Sequence, residues 1–167
     1  MLLKSGDIAY LGVLLGLNQL FIILSSAIET NTIILFAGAA LIVGIVIVEF
    51  GCKSGIVFYI ASCILGFMLT FNKTEFITYI MFFGIYSIIK HLLESKLNSA
   101  MVMYVVKLVF FNLSLAAMYF TARLFIPLQL AWWMIAGAQL LFIVYDYAFA
   151  VFITAYIARI RTRIRRG

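Results

Sequence analysis

Polar residues interrupt this otherwise apolar chain at regular intervals. The apolar runs fall at about 8–28, 33–48, 56–71, 76–89, 101–125 and 129–158, and between them stand the short polar breaks Glu29-Thr30-Asn31-Thr32 and Asn72-Lys73-Thr74-Glu75. Glu49, Gly51, Lys53 and Gly55 punctuate a third break, residues 90–99 form the longest one, and Ile126-Pro127 ends the fifth run, since proline cannot continue a helical amide ladder. A helix needs roughly 20 apolar residues to cross a bilayer, so each run is read as one crossing. The pattern predicts an all-α polytopic membrane protein, a bundle of six transmembrane helices in a single integral membrane domain over 1–167.

Runs three and four are short for a full crossing. They are expected to thin the bilayer locally or to extend through their polar flanks. Residues 90–99 carry Leu92, Leu93 and Leu97 on one side and read as a helical extension lying at the interface. The first run is longer than the apolar core of a cleaved signal and is retained as a span.

Composition agrees with the pattern: 66% of residues are hydrophobic and 11% charged, too few polar groups to cover a water-soluble globule. Lys4, Lys53, Lys90, Lys96, Arg159, Arg161, Arg163, Arg165 and Arg166 all fall on one side of a six-span arrangement. Lys73 and Arg123 fall on the other. Because positive loops stay on the cytoplasmic side, both termini are expected inside a bacterial cytoplasmic (inner cell) membrane. The net charge of +6 concentrates in the tail at 159–167. A basic cluster directly after a span meets anionic lipid first, so Arg159, Arg161, Arg163, Arg165 and Arg166 are expected to bind headgroups, ahead of an acidic cytoplasmic partner or nucleic acid.

Ionisable residues within spans are costly and therefore candidates for function. At about 1.5 Å per residue, Glu49 and Asp146 lie roughly 24 and 25 Å from the outer ends of their spans and Lys107 about 9 Å along its own. These depths are similar, so the three are expected to face inward and pair, as a polar clamp between spans, as a proton or cation relay, or as a site for partner docking. A second polar set lies nearer mid-membrane and toward the outer side. Asn18, Gln19, Asn112, Tyr119, Arg123, Trp132 and Gln139 could line a pocket for a small ligand or bond helix to helix. Gly12 and Gly16 in the first span, and Ala40 with Gly44 in the second, are small-xxx-small pairs that permit close helix approach, inside the bundle or against a partner subunit. Cys52 and Cys63 form no metal-ligand pattern with the single His91, and no phosphate loop or nucleophile motif is present, so neither enzymatic activity, a cofactor nor a metal is expected.

The six closely joined spans, the glycine pair Gly12/Gly16 and the outer polar residues resemble the substrate-binding S components of energy-coupling factor vitamin transporters. That resemblance implies a ligand-capturing subunit of a multi-protein importer. Small residues of its first span would meet a membrane coupling subunit, and its ligand would sit near the outer face. The segments Phe82-Phe83-Gly84-Ile85-Tyr86-Ser87-Ile88-Ile89-Lys90 and Lys107-Leu-Val-Phe-Phe-Asn112 also resemble uncharacterised small integral membrane proteins of Gram-positive bacteria. The alternatives are a membrane scaffold similar to the small cell-shape proteins of the MreD type, and a proton-coupled carrier.

Overall fold

A computed structural model describes residues 4–124 and 131–161, with Glu29, Ile160 and Arg161 described in their backbone only. All secondary structure among these residues is helical. Six helices are long and apolar enough to cross a membrane: α1 Ser5–Ala27, α2 Thr32–Phe50, α3 Cys52–Leu69, α4 Lys73–Lys96, α5 Ala100–Arg123 and α6 Trp132–Arg159. The chain divides into two compact units, Met1–Met118 and Tyr119–Gly167.

Local chemistry sets the helix ends. The Asp7 carboxylate accepts the Lys4 amide at 3.0 Å and caps the start of α1. Between α2 and α3 the reversal takes one residue, Gly51, at φ 84° and ψ 168°, a backbone state open essentially to glycine alone. The Asn72 side chain accepts the Glu75 amide and starts α4. The Thr32 hydroxyl lies 3.1 Å from the Ser25 carbonyl and 3.5 Å from the Glu75 carboxylate, which puts the α1/α2 and α3/α4 turns at the same end of the first unit.

Within that unit α2 is the central element, in contact with α1, α3 and α4. It is apolar all round, as a helix surrounded by other helices should be. Phe36, Ala39, Ala40, Val43 and Val46 are completely or almost completely buried. Small residues bring the neighbours close. A Cβ on Gly66 of α3 would lie 2.5 Å from the Phe76 ring, and one on Gly84 of α4 would lie 2.5 Å from the Tyr59 ring. Helix α5 is held by its aromatic residues. Phe110 stacks on Phe82 at 6.3 Å, and Phe111 meets the same ring edge-on at 5.2 Å.

The fourth span is longer than its apolar run. Helix α4 is continuous from Lys73 to Lys96, with a π turn at Tyr79–Gly84, whereas the hydropathy pattern places it at 76–89. Lys90, which ends the run in sequence, is almost fully buried because Glu94, one turn further on, neutralises it at 3.0 Å. Residues 90–96 are therefore a helical extension continuous with α4. Helix α3 likewise begins at Cys52 rather than 56, taking Lys53 into its first turn.

In the second unit Phe142, Asp146 and Phe149 are buried on one face of α6, at a spacing of three to four residues. Leu140, Val144 and Tyr147 are exposed.

Candidate functional site

Asn18 stands at the centre of the first unit, with no exposed surface. Its Nδ2 donates to the Ala39 carbonyl of α2 at 2.8 Å and to the Tyr79 hydroxyl of α4 at 3.2 Å. Its Oδ1 accepts the Ser62 hydroxyl of α3 at 2.7 Å and the neighbouring Gln19 Nε2 at 3.3 Å. Ser62 and Tyr79 lie 2.7 Å apart. The Ser62 hydrogen is committed to Asn18, so Tyr79 must be the donor in that pair. The hydrogen bonds then close into a ring: Asn18 to Tyr79, Tyr79 to Ser62, Ser62 back to Asn18. Each member donates and accepts once within it, an arrangement in which the bonds polarise one another. One amide thus ties four helices together.

This node has no spare valence on Asn18. A primary amide offers two donors and a carbonyl with two lone pairs, and all four are engaged. Gln19 differs. Its Nε2 also donates to the Ser62 carbonyl at 3.1 Å, but its Oε1 is buried with no hydrogen-bond partner among the described residues. That oxygen faces Gly66, 3.5 Å from where a Cβ would stand. One turn beyond Gly66, at the end of α3, the Thr70 hydroxyl is also buried without a partner among the described residues. Two polar atoms on this side of the node therefore have unused hydrogen-bonding capacity, a state that costs free energy in a buried site.

The other members of the expected pocket set are placed differently. Asn112 is exposed on α5 and donates to the Leu108 carbonyl of its own helix at 2.8 Å, beside a shallow apolar groove shared with Val105 and Val109. In the second unit Tyr119 is half-buried against Phe120, Arg123 and Trp132 are exposed at helix ends, and Gln139 is half-buried.

Charge within the spans centres on a residue the sequence pattern does not single out. Glu94 Oε1 lies 3.0 Å from Lys90 Nζ and 3.0 Å from Lys107 Nζ. Both ammonium groups are buried, while the carboxylate is partly exposed. This contact links α4 to α5 across the short 97–99 connection. The cue was the four-residue spacing of Lys90 and Glu94, which favours an ion pair on a helix. Of the three ionisable residues expected to pair, Lys107 and Asp146 are buried and Glu49 is half-buried. Each makes interactions in this structure. In the tail, Arg159 is exposed, whereas the Arg161 side chain and Arg163, Arg165 and Arg166 lie outside the described residues.

The two small-residue pairs have opposite fates. Ala40 and Gly44 are buried in α2, where the Ala40 carbonyl accepts the Ser87 hydroxyl at 2.8 Å. Gly12 and Gly16 are exposed, and a Cβ at either would meet nothing within 4 Å. With Val13 at 70% exposure and Leu20 at 51%, they leave one face of α1 smooth, apolar and uncovered among the described residues.

Comparison with protein-family models, curated proteins and solved structures gives no match.

Proposed function

We propose that this chain is a non-catalytic, multi-span membrane subunit that works in complex with a membrane partner docked on the Gly12–Gly16 face of α1. The observation that carries this reading is the open space around both glycines. A glycine within a helix costs about 0.5–1 kcal/mol relative to alanine, and no neighbour among the described residues exploits the close approach it allows. In a bilayer, small residues four apart let helices pack backbone to backbone, within a chain or between chains. The resemblance to S components of energy-coupling factor transporters points the same way, since their first span meets a coupling subunit through small residues. A scaffold of the MreD type would use the same face.

The direct test is purification from native membranes. Gly12→Leu and Gly16→Leu should each release the partner from a complex that copurifies with the unaltered chain, and Val144→Leu, at an exposed position of α6, should not. Retention of the same partners by both glycine variants would refute the docking face.

Ligand capture is the second reading, and the unused Gln19 Oε1 and Thr70 Oγ1 favour it. A small polar molecule entering from the 70–72 end would find one acceptor and one hydroxyl ready to bond. Mass spectrometry of small molecules released from the purified protein tests it. A bound compound lost in Gln19→Leu supports capture, and a compound retained by both Gln19→Leu and Thr70→Val refutes this location.

A further inference from the structure

Beside the glycine face, a groove of about 450 Å³ runs along the surface between α1 and α3. Leu11 and Leu15 line it from α1, and Val57 and Ala61 from α3. Gly12 widens it by presenting no side chain. At one end the lining changes from hydrocarbon to Lys53 and Ser54, in the first turn of α3.

Lining and charge together select an occupant. From Lys53 to Ala61 the groove is about 12 Å long at 1.5 Å per residue. Its apolar lining suits a hydrocarbon chain. The Lys53 ammonium is exposed and makes no ion pair among the described residues, and the Ser54 hydroxyl has no hydrogen-bond partner among them. The closest acidic residue in sequence on the α1 side, Asp7, is occupied in capping the Lys4 amide. A cationic end on an otherwise apolar channel therefore calls for an anionic head on an alkyl tail.

We infer that the α1/α3 groove is a binding site for an anionic phospholipid, with one acyl chain lying between Leu15 and Ala61 and the phosphate held by Lys53 and Ser54. The lipid comes from the leaflet on the Lys53 side. The site is distinct from the basic tail: it recognises tail and head together, and it involves none of the arginines. It also does not depend on a partner protein, so it can be read on the purified chain alone.

The test uses the full chain in nanodiscs containing phosphatidylglycerol with a photoactivatable diazirine in its acyl chain. Adducts are mapped by peptide mass spectrometry and compared with phosphatidylcholine bearing the same tail. Labelling should concentrate at Leu11, Leu15, Val57 and Ala61 and favour phosphatidylglycerol. Lys53→Gln should lower it about fivefold, the effect of one basic charge at a lipid surface. Gly12→Phe, which keeps the charge but fills the channel, should lower it at least as much. Equal labelling by both lipids, adducts spread evenly over the exposed faces of α5 and α6, or no response to either variant would overturn the site. So would a cross-link trapping a helix of another chain in the groove.

Discussion

Replacing Asn18 by leucine removes the amide that joins α1, α2, α3 and α4 while keeping the same branched heavy-atom skeleton, with two methyl groups in place of the amide oxygen and nitrogen. Four hydrogen bonds are lost, at 2.8, 3.2, 2.7 and 3.3 Å. Side-chain hydrogen bonds between membrane helices contribute on average about 0.6 kcal/mol each, so the summed loss is about 2.4 kcal/mol. The Ser62 hydroxyl would keep its bond from Tyr79 but lose the acceptor for its own hydrogen, which moves the expected cost toward about 3 kcal/mol. Unfolding of the purified protein in mixed micelles, followed by circular dichroism as the denaturing detergent fraction rises, measures this directly. Tyr79→Phe, which opens the ring at another point, should cost about 1–2 kcal/mol. In the double variant the two losses should fall short of additive by more than about 0.5 kcal/mol, because both interrupt the same ring. An Asn18→Leu protein within about 0.5 kcal/mol of the original, or strict additivity with Tyr79→Phe, would refute a cooperative clamp.

The remaining predictions concern the other close contacts. Gly84→Ala forces a Cβ against the Tyr59 ring and should destabilise by about 1–3 kcal/mol in the same assay. Gly51→Ala puts a side chain on a backbone at φ 84° and should cost a similar amount, about 1–3 kcal/mol, without changing helix content. Glu94→Gln leaves two buried ammonium groups without their shared carboxylate. With Glu94 partly exposed the loss should stay near about 1–2 kcal/mol, and Lys107→Met in the same background should recover part of it. Gly16→Ala should raise stability by about 0.5–1 kcal/mol, since it improves helix propensity in open space, even as it weakens partner docking.

The spans were legible in the sequence because crossing a bilayer demands long apolar runs, and five of the six helices lie within a few residues of those runs. The exception is the fourth. A run ends on paper at Lys90, but a helix can carry a lysine deeper when a carboxylate one turn away satisfies it, and Glu94 does so. Position along a span indicated that Asn18 and Gln19 are interior, but not that one is saturated and the other has an oxygen without a partner among the described residues. That depends on Ser62 and Tyr79, hydroxyl residues that carry no distinctive spacing in an apolar run. The pairs Gly12/Gly16 and Ala40/Gly44 are equivalent as sequence signals. Only the packing around α2 separates the buried pair from the open one.

The glycine face and the α1/α3 groove meet partner and lipid only if the chain crosses the bilayer six times. Single cysteines at Gly6, Asn31, Ser99 and Arg159, in a Cys52→Ser/Cys63→Ala background, can be probed with a membrane-impermeant maleimide on intact and permeabilised cells. Six crossings predict that Asn31→Cys labels on intact cells and that the other three label only after permeabilisation. Labelling of Gly6→Cys and Arg159→Cys from opposite sides, or of Asn31→Cys and Ser99→Cys from the same side, would contradict them.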